Sequence, residues 1–353
     1  MTPINRKILR DLWRIKGQAL AIALVIGSGV ATYIMSLGTL YSLEETRDAY
    51  YERYRFAQVF APLKRAPQRL KADIADIAGV KTVETRIVKN VTLDIPGLSE
   101  PASGRLISLP ETREQTLNVL HLRQGRLLAP GRPDEVLVNE AFALANEFKP
   151  GNTFAAIING HKRTLTIVGV VLSPEYVYAL GPGALMPDDQ RFGIIWMEEK
   201  ALEAAFDLGG SFTEASMTLE RGVDASEVIA ALDRMTEKFG GIRAYAQKDQ
   251  ISNWFVTNEI NQLRAMGNVA PPLFLGIAAF LLHIVASRLV ETERQQIGLL
   301  KAFGYSDGNV AWLYIKLVLI IVIFGIVTGL AFGTWLGRGM TELYTEYFRF
   351  PFL

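Results

Sequence analysis

The sequence predicts an α+β membrane protein, with three transmembrane helices and a large extracytoplasmic domain between the first two. Three observations support this prediction. Half of the 353 residues are apolar, and the mean hydropathy of +0.19 is high for a water-soluble domain but low for a chain made only of membrane spans. The chain contains three long apolar runs. Between the first two runs lies a segment, 41–268, with mixed strand and helix patterns, and it is long enough to bury a core of its own.

Residues 1–17 predict a cytoplasmic amphipathic helix. Its apolar side chains recur every three or four residues, with basic residues between them, at Ile4, Ile8, Leu12 and Ile15. This spacing places them along one stripe of a helix, as in helices that lie in the headgroup layer of a membrane. The alternative is that the basic residues only set the orientation of the chain.

The three apolar runs predict the membrane spans, because a helix needs about 20 apolar residues to cross the hydrocarbon core. We expect spans at 18–40, 269–287 and 310–336. The apolar core of a cleaved secretory signal is about 7–15 residues long and ends at a small-residue site. The first run is longer and passes into Tyr41 without such a site, so it predicts an uncleaved anchor.

Basic residues near the spans predict the orientation, because cytoplasmic flanks are enriched in Lys and Arg. The first run follows one acidic residue and five basic ones, namely Arg6, Lys7, Arg10, Arg14 and Lys16. The N-terminus and the loop 288–309 are therefore expected in the cytoplasm, and 41–268 and the tail 337–353 outside it. The predicted location is the plasma membrane, the inner membrane of the cell.

The outer segment predicts an α+β domain over 56–248 that is split by a β-rich insertion at about 96–190. The outer part has strand patterns at 56–60, 83–95, 192–197, 215–219 and 242–246, and helix patterns at 67–79, 198–206 and 225–239. The insertion has strand patterns at 106–109, 136–138, 154–158 and 165–172, and a helix pattern at 140–148. Helical extensions at 41–55 and 249–268 are expected to join the domain to the spans.

Composition excludes several function classes. With 37 basic and 36 acidic residues, the net charge of +1 gives no drive toward nucleic acid. The chain has no cysteine, and its histidines, His121, His161 and His283, show no ligand spacing. The phosphate-binding pattern GxxxxGK[ST] does not occur in the sequence. We therefore predict that the protein is not an enzyme and has no catalytic, cofactor or metal site.

Small residues in the first run predict a close contact between helices. They are Gly27, Gly29, Gly38, Ser28 and Ser36. Small side chains let two helix backbones approach each other inside a membrane.

The loop 288–309 reads RLVETERQQIGLLKAFGYSDGN and predicts a short amphipathic helix. On a helix its apolar residues share a broad side, namely Val290, Ile297, Leu299, Leu300 and Phe303. Glu291, Arg294 and Lys301 fall on the other side near Gly298, and Gly304 is expected to end the helix. A helix of mixed charge in this position favours a contact with a cytoplasmic partner.

Residues 293–306, ERQQIGLLKAFGYS, resemble the signature loop of ABC transporter permeases of the FtsX, MacB and LolC/LolE class (type VII). The family pattern is roughly E-[RK]-x-x-E-I-G-x-[LM]-[KR]-A-[LI]-G, and Gln296 stands where the family commonly has glutamate. The outer stretches LRQGRLLAPGRPDEVLVNEAFA (122–143) and LTIVGVV (165–171) are similar to the periplasmic domain of that family. The resemblance covers essentially the whole chain. It implies a MacB-like periplasmic core domain at 56–248 and an FtsX-like permease domain at about 269–353.

The resemblance implies a permease subunit that couples ATP hydrolysis by a separate cytoplasmic ABC ATPase to movement of the outer domain. The coupling would serve export or extraction of a lipid, lipoprotein or peptide, or mechanotransmission. A second permease copy or a homologous permease, the lipid bilayer and a periplasmic adaptor or substrate protein are the other implied partners. Arg294 and Lys301 would make polar contacts with the ATPase, while Ile297, Leu300 and Phe303 would pack. The full set of implied coupling residues is Glu291, Arg294, Gln296, Ile297, Gly298, Leu300, Lys301, Phe303, Gly304 and Tyr305.

The number of spans departs from the family. Its core has four, whereas the sequence has three apolar runs, so we expect this chain to be the N-terminal portion of a longer permease, without the fourth span. The alternative function is a membrane-anchored sensor whose outer domain binds a ligand. Because the longest inner segment is short, that sensor would need a separate signalling partner.

Overall fold

The computed structural model describes residues 3–111 and 114–351, with the backbone alone at 3–5 and 346. The helices are α1 (Pro3–Arg14), α2 (Lys16–Arg53), α3 (Leu70–Ala75), α4 (Glu140–Ala145), α5 (Glu199–Ala205), α6 (Ala225–Thr236), α7 (Ile251–Thr292), α8 (Arg294–Ala302) and α9 (Asp307–Tyr347). The strands are β1 (Val59–Pro67), β2 (Val80–Arg86), β3 (Val88–Asp94), β4 (Ala102–Leu109), β5 (His121–Gly125), β6 (Glu135–Asn139), β7 (Thr153–Ile158), β8 (His161–Leu172), β9 (Phe192–Glu198), β10 (Ser211–Leu219) and β11 (Tyr245–Ala246).

The chain folds as two compact units. The membrane unit contains Met1–Glu44 and Glu259–Tyr344, and the outer unit contains Glu45–Asn258 and Thr345–Leu353. Three helices in the described chain, α2, α7 and α9, are long and apolar enough to cross a membrane. The predicted layout of three membrane helices and an α+β domain is therefore confirmed. Each of these helices is longer than its predicted span. The span was predicted from apolar residues alone, and the polar ends of a helix carry no such signal.

Glycines at every fourth position of α9 bring it against α2. A Cβ atom at Gly329 would lie 2.7 Å from the carbonyl oxygen of Gly27, and one at Gly325 would lie 2.8 Å from that of Ala23. Gly333 makes the same approach one turn further, to Ala31. Helices associate inside a membrane chiefly by such close packing, since the lipid is as apolar as the side chains.

The predicted small-residue contact of the first span is therefore present, but it is divided between two neighbours. Gly27 faces α9, whereas a Cβ at Gly29 would lie 2.9 Å from the Cβ of Phe274 in α7. At Gly38 no described atom lies within 4 Å of the added Cβ. Gly38 therefore makes no close contact with another helix in the described part of this unit.

The apolar stripe of α1 packs against the transmembrane helices. Ile8 is buried in one cluster with Leu289 of α7 and Leu317 of α9, and Leu12 and Ile15 pack on its edge. These apolar side chains are therefore covered by protein, and the position of α1 at the headgroup layer stays a prediction. The side of α1 that remains exposed carries Arg6, Leu9, Arg10, Trp13 and Arg14.

The outer unit contains two sheets. The smaller is antiparallel, with the order β11-β1-β10-β2, and α3 and α6 contribute to its core. The larger is mixed, with the order β5-β8-β6-β9-β4-β3-β7. In it β4–β9 and β6–β8 are parallel pairs. Because β7 also pairs with β8, six of its seven strands close into a ring, which removes free strand edges.

The larger sheet contains the strands of the predicted β-rich insertion at about 96–190, but it also includes β3 and β9, which lie outside those bounds. In the sequence it interrupts the smaller sheet. The pattern at 83–95 predicted one strand, but the structure has two, β2 in the smaller sheet and β3 in the larger. The buried residue Ile87 lies at the crossing. Apolar side chains continue across it, so the pattern alone does not reveal the change of sheet. Strand β5 was not predicted.

A buried ion cluster joins the two sheets. The guanidinium of Arg86 in β2 donates to both carboxylate oxygens of Glu175, at 2.7 and 2.6 Å, and through Nε to Glu214 of β10 at 2.7 Å. Glu175 follows β8 of the larger sheet. Burial raises the pKa of Glu214 above its ordinary value, against the opposing attraction of Arg86.

Candidate functional site

The loop between α7 and α9 forms a short helical hairpin. Glu293 alone separates α7 from α8, with φ −97° and ψ 15°, so the two helices follow each other almost without interruption. The α8 helix ends at Ala302, and Gly304 takes φ +87°, a conformation that favours glycine. Lys301 forms an ion pair with Asp307 at the start of α9. This pair and the glycine turn fix the return of the chain.

The structure places all ten predicted coupling residues on this hairpin or on the last turn of α7. Two of them, Ile297 and Leu300, are half-buried. Those exposed to solvent are Glu291, Arg294, Gln296, Gly298, Lys301, Phe303, Gly304 and Tyr305. The hairpin therefore presents a mostly polar surface with few internal contacts.

Two large apolar side chains stand out on this surface. Leu299 is 60% exposed and Phe303 is 74% exposed. They are four residues apart, so they are neighbours on one side of the helix. The sequence assigned packing to Ile297, Leu300 and Phe303, and of these only Phe303 is largely exposed. Leu299 was placed on the broad apolar side but not among the coupling residues, because a helical wheel does not show which part of that side the protein covers.

Glu293 fixes the base of the hairpin to α1. Its side chain is 1% exposed, and Oε2 accepts hydrogen bonds from Lys7 Nζ at 2.6 Å and from the Tyr314 hydroxyl at 3.1 Å. Lys7 also donates to Asp11 Oδ2 at 2.6 Å. A buried carboxylate loses its hydration and needs such partners. The N-terminal helix, the hairpin and α9 therefore meet at one ion cluster.

The second oxygen of Glu293 is less well satisfied. Within the described residues, Oε1 accepts no hydrogen bond, and the Arg14 guanidinium lies 3.9 Å from it, beyond hydrogen-bond distance. Our sequence prediction assigned no separate role to Glu293, although this residue opens the quoted motif. One feature of the sequence could have revealed this anchoring role. Glu293 is an acidic residue four positions from both Leu289 and Ile297, on a side of the helix that is otherwise apolar.

No group of three or more His, Asp or Glu side chains in the described part of the chain is arranged to hold a metal ion. The exposed hairpin on a firmly held base can present a surface to another protein. It offers no constellation for acid–base or nucleophilic chemistry.

Residues 268–353 match the FtsX-like permease C-terminal family. This range contains the second span, the hairpin and the third span. The resemblance first seen in the loop motif is thereby confirmed for this segment. No curated protein matches the chain.

Three solved structures are similar to the outer unit. The extracellular domain of the ABC-type transporter YknZ from Gram-positive bacteria has a TM-score of 0.33 and 12% identity, covering 54% of this chain and 98% of that one. The periplasmic region of MacB from Actinobacillus actinomycetemcomitans has a TM-score of 0.35 and 14% identity, covering 56% and 92%. A domain from a Porphyromonas gingivalis protein described as a permease has a TM-score of 0.31 and 13% identity, covering 56% and 95%.

Proposed function

We propose that this chain is a permease subunit of an ABC-type transporter of the FtsX and MacB kind, and that its hairpin binds a separate ATPase in the cytoplasm. The observation that carries the proposal is the exposed pair Leu299 and Phe303 on α8, whose base is held by the buried Glu293. Exposed apolar side chains in a polar rim are typical of protein interfaces. The family match of 268–353 supports the same reading.

The long helices give this proposal a mechanical route. The α7 helix has 42 residues, which corresponds to about 63 Å at 1.5 Å per residue. A bilayer with its headgroups is about 40–45 Å thick. The helix is therefore long enough to extend beyond the bilayer, and its first residues, from Ile251, belong to the outer unit. A displacement of α8 by the ATPase would move α7, and the outer domain would respond.

In this arrangement the N-terminus and hairpin lie in the cytoplasm and the outer unit lies outside the plasma membrane. A second permease copy would bring a second hairpin to an ATPase pair. The outer unit would act on a lipid, lipoprotein or peptide, or on an adaptor protein. Energy comes from the ATPase, so the chain itself needs no catalytic site.

The test is a double substitution at the exposed pair, Leu299→Asp with Phe303→Asp. The tagged wild-type chain is purified from its native membranes and its bound proteins are identified by mass spectrometry. We expect a protein with a GxxxxGK[ST] motif at a fixed ratio to the chain. The double variant should weaken its binding by about thirtyfold, the effect of losing an interface hot spot of about 2 kcal/mol.

The matched control is Leu185→Asp, since Leu185 is 90% exposed in the outer unit. It should leave ATPase binding unchanged while the amount of protein in the membrane stays the same. Ile297→Asp and Lys301→Glu are expected to act in the same direction as the double variant. Equal ATPase recovery with wild type and with the double variant would contradict the proposal. Recovery of a histidine kinase instead would favour a sensor.

A further inference from the structure

A cavity of about 420 Å³ opens in the membrane unit where the junction of α1 and α2 meets the last turns of α7. Its polar lining comes from Arg14, Gln18, Arg288 and Thr292. Val285 and Leu289 supply an apolar wall. The space is much larger than the single site of a water molecule, which needs only about 10–15 Å³.

The cavity carries two positive charges, and within the described residues only Arg14 has a carboxylate within ion-pair distance. No carboxylate lines it, and no ion pair within the described residues involves Arg288. Arg14 approaches only the Oε1 oxygen of Glu293, at 3.9 Å. The Thr292 hydroxyl donates to the carbonyl oxygen of Arg288 at 2.7 Å, which holds the helix end and leaves both guanidinium groups as the available donors.

We propose that this cavity binds the phosphate group of an anionic lipid. A guanidinium presents parallel N–H donors that match phosphate oxygens in pairs. Two such groups on different helices, Arg14 at the end of α1 and Arg288 on α7, would clamp one phosphate between them. The Gln18 amide adds a neutral donor for the rest of the headgroup.

The surroundings favour a lipid over free phosphate. Ile284 lies one turn before Arg288 on the same side of α7, and Leu20 lies one turn after Gly17 at the start of α2. Both side chains are about half exposed, at 46% and 52%. Acyl chains of a lipid whose phosphate lies in the cavity would cover these side chains. This inference is independent of the proposed ATPase contact, because it concerns a ligand of the membrane unit alone.

The experiment titrates the full-length chain in neutral detergent with phosphatidylglycerol and counts bound lipid by native mass spectrometry. The test variant is Arg14→Gln with Arg288→Gln. The matched control is Arg6→Gln with Arg10→Gln, which removes the same charge from the exposed side of α1, away from the cavity. Because the test variant loses both guanidinium contacts to the phosphate, it should bind about thirtyfold more weakly. The control should stay within about twofold of wild type.

A second variant, Val285→Trp, fills the cavity and keeps both arginines. It should also abolish the tightly bound lipid, with an unchanged thermal unfolding midpoint in detergent as the check on folding. Equal loss in the test and control variants would overturn the site in favour of diffuse charge attraction. Displacement of the lipid by inorganic phosphate at equal concentration would overturn the lipid as occupant. Binding of phosphatidylglycerol that survives Val285→Trp would also overturn the proposal.

Discussion

Both units contain a buried ion cluster, and the two clusters are built differently. In the outer unit Arg86 uses three nitrogens on two carboxylates, and Glu214 lies directly opposite it on the neighbouring strand. In the membrane unit the single side-chain nitrogen of Lys7 donates hydrogen bonds to both Glu293 and Asp11. One oxygen of Glu293 accepts no hydrogen bond from the described residues. The first cluster closes a rigid joint between two sheets. The second holds the base of the hairpin with fewer hydrogen bonds.

The largest effect is expected from Arg86→Met. This change leaves Glu175 and Glu214 buried together without their cation, and breaking a buried pair in this way costs about 3–5 kcal/mol. Hydrogen exchange of peptides from β2 and β10 in the full-length protein measures the loss of protection. Arg126→Met is the control, because its partner is Glu135 on the surface, where an ion pair is worth less than about 1 kcal/mol. Similar losses in both variants would remove the distinction between the buried and the exposed pair.

A smaller effect is expected from Lys7→Met at the second cluster. Two charge-assisted hydrogen bonds disappear, but the Tyr314 hydroxyl and the nearby Arg14 remain with Glu293. A hydrogen bond to a charged group contributes about 1.5–3 kcal/mol. We expect faster hydrogen exchange in α1 and weaker ATPase binding, since the hairpin loses its anchor.

Two further variants separate the anchor from charge in general. Arg10→Met removes a charge from the exposed side of α1 and should leave both readouts unchanged. Lys7→Arg keeps a cation beside Glu293 and Asp11, so it should retain more binding than Lys7→Met. If Lys7→Arg binds no better than Lys7→Met, the charge of Lys7 does not anchor Glu293.

The third effect concerns the close backbone contact between α2 and α9 in the membrane unit. No charged side chain of the described residues takes part in this contact. Gly329→Leu would press a side chain against the carbonyl oxygen of Gly27, and overpacking costs about 1–3 kcal/mol. Thermal unfolding in detergent should show the lower stability. Gly276→Leu in α7 is the control, because no described atom lies within 4 Å of its added Cβ. An equal fall in the unfolding temperature of both variants would contradict the contact with Gly27 as the cause, because leucine has a higher helix propensity than glycine at either position.

The membrane helices were predictable because their signal is local. A run of about 20 apolar residues has few other uses, and the loop motif gave the hairpin its position. The polar ends of α2 and α7 were predicted only as helical extensions, since nothing in the sequence marks where such a helix stops. The closed ring of the larger sheet was not predictable, because β7 finds both β3 and β8 through contacts remote in sequence.

The candidate site was predicted in place but not in detail. The motif located α8, yet the anchoring role of Glu293 depends on Lys7, which lies 286 positions away in the sequence. Likewise the apolar stripe of α1 predicted an amphipathic helix. That Ile8 packs on α7 and α9 is known only from the folded structure. Periodicity gives the side of a helix that is apolar, whereas the partner of that side is a property of the tertiary structure.

The smallest expected effect tests which force dominates at Glu214. Burial favours its protonated form, so its pKa is raised in the folded protein. The unfolded chain then releases this proton at lower pH, near the ordinary pKa of about 4.3. Stability from Glu214 is therefore complete below that value and is lost as pH rises through the folded pKa.

Glu214→Gln removes this titration while keeping the shape of the side chain. The protection of β10 in wild type relative to the variant, compared at equal pH so that intrinsic exchange rates cancel, should fall as pH rises above about 4.3. Arg86 stays charged throughout this range, and Glu175 remains bound to it in both proteins. A relative protection that grows with pH would mean that the attraction of Arg86 outweighs burial. The outer cluster would then be held by its charges, and the contrast with Glu293 would lie in the number of hydrogen bonds alone.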